Sequence, residues 1–415
     1  MKYPLLITAL LLGTCLHAQT HKVLFIGNSY TYRNDLPKLI RNTALSTGDT
    51  ITTEQSTPGG ANLASHTTNA NTLAKIASDN WKYVVIQAQS QEPSFHIDQV
   101  SLQTFPYAAQ LCDSIRANNS CTRPMFYMTW GRENGDQGNC AAWPPICTYE
   151  GMDDLLNLRY QMMGEMNEAY VSPVGAVWRN LRTNHPQIDL YATDGSHPNP
   201  TGSYAAACTF YALILQKDPT LITFNSSLSA ATADQIKLAA KEVAFDSLSK
   251  WNVGRYDPTA DFTYTQSLNS FSFTNNVVNA DSFYWDFGDG NFSTDPDPSH
   301  DYLAEGTYLI HLIATRCGLI DTASQEVIFT TTAINELAGS ALSIYPNPSR
   351  GKIFIQSERT EYLKVRVYSL DGALLSTHIA TKEVNLAALP NGLYLLEIED
   401  TIRHQKVVER INLNR

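Results

Sequence analysis

A serine placed directly after a short apolar run is the first residue here that could do chemistry. Residues 23–26 are consecutively apolar and are followed by Gly27, a pattern typical of a strand buried on both faces. Ser29 comes two residues later. Because ligands bind beyond the carboxyl ends of the strands in an open α/β sheet, Ser29 is a candidate nucleophile. On its own, a serine here is equally typical of a helix cap or a turn.

An aspartate and a histidine far downstream could supply the base that such a serine needs. Asp194 and His197 lie three residues apart around Gly195, just before a predicted helix that begins at Pro200. A serine hydroxyl is a weak nucleophile unless an imidazole takes its proton and a carboxylate orients that imidazole. The three residues therefore predict a Ser-His-Asp triad. The alternative is a helix cap beside a surface histidine.

The elements around these residues predict an α/β domain over residues 20–254. The apolar runs that predict strands alternate with amphipathic stretches that predict helices, which indicates a parallel sheet covered on both faces. The result would be a three-layer architecture. The predicted strands are 23–26, 83–86 and 125–128, and the predicted helices are 36–45, 63–77, 100–116, 152–168, 200–215 and 233–248.

The two blocks together resemble the SGNH (GDSL-like) hydrolases, a superfamily of serine esterases with a flavodoxin-like sheet. The blocks are Gly-Asn-Ser-Tyr at residues 27–30 and Asp-x-x-His ending at His197, and the resemblance covers about residues 22–215. It implies that Ser29 is the nucleophile, His197 the general base and then acid, and Asp194 the orienting carboxylate. Asn28 stands where the family more often has aspartate.

The same resemblance implies an oxyanion hole. Its donors would be the backbone N–H of Ser29, the N–H of Gly60 in a Pro-Gly-Gly-Ala segment, and a side-chain amide. Gly59 is the close alternative to Gly60. The family usually supplies an asparagine amide, but this chain has Gln91 at that place, with Gln89 as the alternative. Glutamine carries the same amide on a longer side chain.

A second domain is predicted over residues 256–331, where short alternating segments are separated by turn-forming clusters. The sequence Tyr-Trp-Asp-Phe-Gly-Asp-Gly at residues 284–290, followed by Gly-Thr-Tyr at 306–308, closely resembles the PKD module, which has an immunoglobulin-like β-sandwich. Its aspartates favour ordinary turns over a calcium site, so no metal and no cofactor is predicted. They are Asp286, Asp289, Asp295, Asp297 and Asp301.

A third domain, over residues 341–415, follows a predicted linker at 332–340. It resembles the C-terminal sorting domain of the type IX secretion system of Bacteroidota. The matching features are Tyr-Pro-Asn-Pro at 345–348, a Val-Tyr-x-x-x-Gly segment, Leu-Pro-Asn-Gly-Leu-Tyr at 389–394 and a terminal strand. The resemblance implies a small β-sandwich that serves as an address, is recognised by the secretion machinery and is removed after export.

The other end of the chain predicts a signal peptide over residues 1–18. Lys2 precedes a short apolar run, and a cleavage site follows Ala18. A loose lipobox that ends at Cys15 is the alternative. Together the two ends predict a protein that is secreted or held at the cell surface.

Composition and cysteine usage agree with an exported globular protein. The 415 residues are 43% hydrophobic and carry a formal charge of −11, which argues against nucleic acid as a partner. No apolar run after the signal approaches the roughly 20 residues of a transmembrane helix. Cys112/Cys121 and Cys140/Cys147 are predicted disulfide pairs among the 15 possible connectivities of six cysteines.

The substrate predicted from these features is a small-molecule or carbohydrate ester with a short acyl group. Several aromatic residues are expected at the rim of the site, where sugar rings or lipid chains could stack on them, although such residues also form plain cores. They are Tyr30, Tyr32, Phe95, Trp130 and Trp143. Carbohydrate is favoured because the polar, acidic chain shows no obvious lipid-binding stripe. Two alternatives stay open, an inactive surface binding or adhesion protein and a lipase or thioesterase. Hydrolysis of a short-chain p-nitrophenyl ester, compared with a Ser29→Ala variant, tests the binding-protein alternative. A comparison of acetyl with long-chain acyl substrates tests the lipase or thioesterase alternative.

Overall fold

A computed structural model describes residues 20–267, 269–330, 342–357, 360–402 and 405–415. The chain divides into two compact units. The first runs to Asp261 and also contains residues 276–284 and 312–323, while the second contains residues 262–275, 285–311 and 324–415. The predicted signal peptide (1–18) and the predicted linker (332–340) lie outside the described residues.

The first unit is built on a parallel five-stranded sheet with the order β2-β1-β3-β4-β5. This is the flavodoxin-like order of doubly wound sheets, and it confirms the predicted three-layer α/β fold. Two edge strands had no apolar run to reveal them, since β2 is mostly polar and β5 has three residues. The strands are β1 (His21–Ile26), β2 (Ile51–Ser56), β3 (Tyr83–Ile86), β4 (Arg123–Tyr127) and β5 (Tyr170–Ser172).

Helices cover this sheet, and two of the predicted helices are each divided into two. Asn69 caps a new helix, since its side chain accepts a hydrogen bond from the Thr72 N–H. The second break falls at Thr104, whose backbone is not helical and which makes no side-chain capping bond; Pro106 stands in the first turn of the helix that follows. The helices are α1 (Ser29–Tyr32), α2 (Leu36–Leu45), α3 (Leu63–Thr68), α4 (Ala70–Ala77), α5 (Ile97–Gln103), α6 (Phe105–Asn118), α7 (Tyr149–Met166), α8 (Val174–Asn184), α9 (Pro200–Leu215) and α10 (Ala230–Val243). Short 3₁₀ turns lie at Arg33–Asp35, Glu92–Ser94, Pro144–Cys147, Pro219–Leu221 and Phe245–Trp251.

The core of this unit lies between the central strands and α9, nearly all of whose residues are buried. Phe25 of β1 packs edge-on against Phe210 of α9, with ring centroids 5.6 Å apart, and Tyr127 of β4 meets the same ring at 5.0 Å. Burial of each such ring stabilises the fold by roughly 1.5–3 kcal/mol. Phe210 therefore packs α9 onto both β1 and β4, on either side of β3, which pairs with β1 in parallel up to Ile26 and Ile86.

The described residues from Phe262 onward form mainly antiparallel β-structure, as predicted. Residues 262–329 form two sheets, with the orders β10-β7-β6 and β12-β11-β8-β9. Trp285 is fully buried and packs against Phe262 and Phe273 at 5.2 and 5.4 Å. The strands are β6 (Phe262–Ser267), β7 (Ser270–Asn275), β8 (Ser282–Asp286), β9 (Phe292–Ser293), β10 (Ser299–Asp301), β11 (Gly306–Arg316) and β12 (Leu319–Phe329).

Residues 343–413 form two further sheets, with the orders β13-β14-β17 and β16-β15-β18-β19. In β15 and β18 buried residues alternate with partly exposed ones, which places one face of their sheet on the core. The strands are β13 (Ser343–Tyr345), β14 (Lys352–Gln356), β15 (Leu363–Tyr368), β16 (Leu374–Ile379), β17 (Glu383–Asn385), β18 (Gly392–Asp400) and β19 (Gln405–Leu413).

One of the two predicted disulfide pairs is wrong. Cys140 is bonded to Cys147 as predicted, but Cys121 is bonded to Cys317, which lies 196 residues away in the sequence. Cys112 is on the core-facing side of α6 and is fully buried, so it is not presented to the loop that carries Cys121. Within the described ranges, no helix has both the length and the apolar character needed to cross a bilayer.

Candidate active site

The turn that carries Ser29 is fixed by the residue before it. Asn28 caps α1, because its Oδ1 accepts a hydrogen bond from the Tyr30 N–H at 3.1 Å. Its Nδ2 donates to the carbonyl oxygen of Ala61 at 2.9 Å. A carboxylate has no proton to donate, so an aspartate at this position could not make the second bond. The amide of Asn28 therefore ties the loop that contains Gly60 to the nucleophile turn.

Gln87 supports the turn of the candidate nucleophile, and sequence reasoning missed it. It is fully buried at the end of β3, and its Oε1 accepts the Asn28 N–H at 2.9 Å and the Thr31 hydroxyl at 3.0 Å. A Cβ on residue 27 would lie 2.6 Å from that Oε1, which explains why Gly27 precedes the turn. The signal was a glutamine directly after the buried run 83–86, where a lone polar side chain needs a partner.

Asp194 and His197 lie on one tight loop before α9. His197 Nδ1 is 2.6 Å from Asp194 Oδ2, and Asp194 Oδ1 accepts the N–H groups of Ser196 and His197 at 3.0 and 2.9 Å. Partial burial opposes ionisation, but these hydrogen bonds prevail and lower the pKa of Asp194 to about 2. Gly195 has a φ of +60°, the left-handed conformation that allows this turn.

The loop brings His197 to the candidate nucleophile. Ser29 Oγ lies 2.8 Å from His197 Nε2. Because the Asp194 carboxylate only accepts hydrogen bonds, the neutral imidazole carries its proton on Nδ1 and offers Nε2 as the acceptor for the serine proton. The structure therefore places the three predicted triad residues in one hydrogen-bonded chain, which can transfer a proton from serine to histidine.

Two of the five aromatics expected at the rim are core residues instead. Tyr30 and Trp130 are 2% and 0% exposed and stack on each other at 4.9 Å, and Trp130 stacks on Trp178 at 3.7 Å. The Tyr30 hydroxyl lies 2.6 Å from Ser196 Oγ, and Trp130 Nε1 donates to the Ser196 carbonyl at 3.1 Å. The stacked rings of Tyr30, Trp130 and Trp178 therefore support the loop of His197 through the two contacts to Ser196.

Tyr32, Phe95 and Trp143 are the rim aromatics that keep exposed surface. Tyr32 is 44% exposed, and its hydroxyl lies 3.6 Å from the position that a Cβ on Gly59 would occupy. Gly60, the next residue, has a φ of +71°. The loop of the two candidate glycines thus borders the short helix that Ser29 begins.

The two candidate glutamines are joined to each other and to an acidic residue. Gln91 Nε2 donates to Asp136 Oδ2 at 2.6 Å, and Gln91 Oε1 accepts from Gln89 Nε2 at 3.2 Å. Asp136 is buried and pairs with Arg132 at 3.0 Å. Because a carboxylate only accepts hydrogen bonds, the amide nitrogen of Gln91 must face Asp136. That nitrogen carries two protons, and the bond to Asp136 uses one of them. Asp136 had no signal in the sequence, since it lies 45 residues from Gln91.

Two aspartates of the β-rich region stabilise turns. Asp286 and Asp289 each accept the N–H of the residue two positions on, at 2.9 and 3.0 Å. Across the described residues, no group of three or more His, Cys, Asp or Glu side chains is arranged to hold a metal ion.

Comparisons with known proteins identify two domains of this chain. The family profile of the PKD domain matches residues 257–330, and that of the secretion system C-terminal sorting domain matches residues 343–412. A microbial collagenase from Vibrio alginolyticus is 34% identical over 73 residues, which is 17% of this chain and 9% of the collagenase.

Similar solved structures cover the remaining part as well. A DUF4886 family protein from Bacteroides uniformis is 18% identical over 56% of this chain and 95% of its own, with a TM-score of 0.47. A proposed SGNH hydrolase from Slackia heliotrinireducens is 24% identical over 46% of this chain and 98% of its own, with a TM-score of 0.39. The PKD1 domain of the Vibrio cholerae metalloprotease PrtV is 31% identical over 18% of this chain and 99% of its own, with a TM-score of 0.17. In the order of the sequence, the chain therefore carries an α/β domain of flavodoxin-like topology, then a PKD domain and then a secretion-system C-terminal sorting domain. The sorting domain indicates export or attachment at the cell surface.

Proposed function

We propose that this protein is an exported serine esterase that hydrolyses carboxylic esters through an acyl-enzyme on Ser29. The observation that carries the proposal is the chain of contacts from Ser29 Oγ to His197 Nε2 (2.8 Å) and from His197 Nδ1 to Asp194 Oδ2 (2.6 Å). Ser29 follows β1, whose connection leads to β2 on one side, whereas the connection from the adjacent β3 leads to β4 on the other side. Doubly wound sheets bind their ligands at such a switch point.

The proposed reaction has two steps, and each moves one proton through His197. Ser29 Oγ attacks the ester carbonyl carbon while its proton passes to His197 Nε2; the alcohol then leaves with that proton, and the acyl group stays on Ser29. Water attacks the acyl-enzyme in the same way, and the acid leaves as Ser29 recovers its proton. Asp194 stabilises the imidazolium in both steps, since its low pKa keeps it ionised at neutral pH.

The oxyanion of each tetrahedral intermediate needs preorganised donors. We assign this role to the backbone N–H groups of Ser29 and Gly60 and to the side-chain amide of Gln91, with Gly59 and Gln89 as alternates. The bond from Asn28 Nδ2 to Ala61 O supports the glycine assignment, because it joins that loop to the nucleophile turn. The bond from Gln91 to Asp136 supports the glutamine assignment, because it orients the amide while leaving a proton for the substrate.

A short acyl group fits the polar character of these neighbours. The groups proposed to bind the ester carbonyl are the backbone N–H groups of Ser29 and Gly60 and the amide of Gln91, which are polar and take up no alkyl chain. We therefore expect acetyl esters to be hydrolysed faster than long-chain esters, which separates an esterase from a lipase or a thioesterase of long acyl groups.

The test is hydrolysis of p-nitrophenyl acetate and p-nitrophenyl palmitate by the purified protein and by its Ser29→Ala variant. We expect release of p-nitrophenol from the acetate by the unmodified protein, with at least a thousandfold loss in the variant. Equal rates for the two proteins would remove the triad assignment. Absence of hydrolysis in the unmodified protein would favour a binding protein.

We further propose that type IX secretion carries the protein across the outer membrane and that the segment from about residue 341 is then removed. The match of residues 343–412 to a sorting domain supports this route. Deletion of residues 342–415 in the native host should leave active protein inside the outer membrane, as measured by cell fractionation. Unchanged export of the truncated chain would contradict the proposal.

A further inference from the structure

A cleft beside the candidate oxyanion residue has no role in the reaction just described. It has a volume of about 270 Å³ and is lined by Phe95, His96, Gln99, Asn139, Ala142 and Trp143. All six residues belong to the first compact unit.

Two contacts join this cleft to Gln91. Asn139 Nδ2 donates to Asp136 Oδ2 at 2.8 Å, and the same oxygen accepts from Gln91 Nε2 at 2.6 Å. On the other side, Trp143 Nε1 donates at 3.1 Å to the carbonyl of Ser94, whose hydroxyl donates to the Gln91 carbonyl at 2.7 Å. A group bound in the cleft would therefore lie next to the amide proposed to bind the oxyanion.

The cleft wall is held in place before any ligand binds. The disulfide between Cys140 and Cys147 closes the loop that carries Trp143, and the Asn139 carbonyl accepts the N–H of Trp143 at 3.0 Å. The His96 ring packs edge-on against the Trp143 indole at 4.8 Å. Such prior ordering reduces the entropy that binding would cost.

The lining chemistry selects the kind of ligand. None of the six residues is Asp, Glu, Lys or Arg, so the cleft favours an uncharged group. Two aromatic rings offer flat apolar surface, and two amides, of Gln99 and Asn139, offer donors and acceptors. A sugar ring combines these needs, because its C–H face is apolar and its edge carries hydroxyls. The volume lies just below the roughly 300 Å³ at which pockets for drug-sized ligands begin, which suits one monosaccharide unit.

We propose that this cleft binds a neutral sugar unit of the alcohol half of the substrate, so that the esterase acts on acylated carbohydrate. The inference rests on the proposed function for its position beside the reacting ester. Sugar binding itself requires only the six lining residues and can be measured without catalysis.

The kinetic experiment compares acetylated methyl glycosides of xylose, glucose and galactose with p-nitrophenyl acetate. The measured quantity is the ratio of kcat/KM for the best glycoside ester to kcat/KM for p-nitrophenyl acetate. We expect Trp143→Ala to lower this ratio at least tenfold, Gln99→Ala to lower it about threefold or more, and Trp143→Phe to lower it less than Trp143→Ala.

Gln103→Ala is the matched control. Gln103 lies one turn further along α5, is not part of the cleft lining, and accepts a hydrogen bond from Gln99 Nε2 at 3.2 Å. Either substitution removes that hydrogen bond, so an effect on local structure alone would appear in both variants. A loss in Gln99→Ala that is absent in Gln103→Ala supports sugar binding, and equal ratios in all variants would overturn it.

Binding of the unesterified methyl glycosides to Ser29→Ala protein separates this inference from the proposed function. Saturation-transfer NMR with the Ser29→Ala protein should detect binding of at least one glycoside. The signal should disappear in the double variant that also carries Trp143→Ala and should persist in the double variant that also carries Gln103→Ala. If the chain hydrolyses no ester but shows this binding pattern, the sugar cleft stands and the esterase fails. If no glycoside binds, the sugar proposal is wrong. It is also wrong if Trp143→Ala lowers kcat/KM for p-nitrophenyl acetate as much as it lowers kcat/KM for the glycoside esters.

Discussion

A histidine that lies within 3 Å of an aspartate oxygen occurs in each of the two compact units, and these two pairs differ in what contacts the rest of the imidazole. In the α/β unit, His197 faces Asp194 through Nδ1 at 2.6 Å and Ser29 through Nε2 at 2.8 Å. In the β-rich unit, His300 faces Asp289 through Nε2 at 2.8 Å, and its ring stacks on Phe287 at 4.3 Å with Tyr302 edge-on at 4.6 Å.

The difference shows that a histidine–carboxylate pair does not by itself indicate catalysis. His300 is held between aromatic rings on a strand of an antiparallel sheet, where the pair stabilises the turn that contains Asp289. His197 lies on a loop at the carboxyl edge of a parallel sheet, with a hydroxyl on its second nitrogen. The contact between His197 Nε2 and the Ser29 hydroxyl is therefore what makes the His197–Asp194 pair a candidate for catalysis.

The largest expected difference between the pairs is in activity. His197→Ala should reduce kcat for p-nitrophenyl acetate a thousandfold or more, because Ser29 loses the acceptor of its proton. His300→Ala should retain wild-type kcat. Steady-state kinetics of the two variants measures both effects, and similar losses in the two would end the distinction between the pairs.

A smaller effect is expected from the amide assigned to the oxyanion. Gln91→Leu should lower kcat by about 10²–10³-fold with little change in KM, because the donor acts on charge that develops only in the transition state. Gln89→Leu should cost less, since in this account Gln89 orients Gln91 through its 3.2 Å hydrogen bond. If kcat falls further in Gln89→Leu than in Gln91→Leu, Gln89 is the oxyanion donor and Gln91 the residue that orients it.

The smallest effect concerns stability and separates the pairs in the opposite direction. Although partial burial opposes it, the hydrogen bonds from His300 and Asn291 lower the pKa of Asp289 below its usual value. A carboxyl whose pKa is lower in the folded state contributes stability above its unfolded pKa of about 3.9, and this contribution is lost as the pH falls through the folded value.

Asp289→Asn should therefore lower the free energy of unfolding at pH 7 by at most about 1 kcal/mol, with esterase activity kept. The difference from the unmodified protein should disappear as the pH falls below about 3.9 in urea-unfolding curves. A deficit that grows at low pH would contradict the linkage, and loss of activity would contradict a purely structural role for this pair.

Much of the fold and of the candidate triad could be predicted because the informative residues are local. The apolar runs of β1 and β3 mark buried strands, and Gly27 and Gly195 mark backbone positions that other residues do not fit. Ser29 and His197 each follow or precede a recognisable element, so their placement could be inferred from chain order and sheet geometry.

The contacts that complete the site could not be predicted, because they join distant parts of the chain. Gln87 meets Asn28 across 59 residues, Gln91 meets Asp136 across 45, and Cys121 meets Cys317 across 196. Nothing in the local sequence specifies such partners. The edge strand β2 was missed for a different reason, since its polar residues are mostly exposed and give no apolar run.

Covalent labelling of the unmodified full chain tests the central claim most directly. A p-nitrophenyl alkylphosphonate should form one phosphorus–oxygen bond to Ser29 Oγ, with loss of p-nitrophenolate and transfer of the serine proton to His197. Intact-mass measurement and peptide mapping should find a single adduct on Ser29, formed in proportion to lost esterase activity and much more slowly in His197→Ala. Esterase activity that survives complete labelling of Ser29, or an inactivating adduct on another residue, would contradict the account.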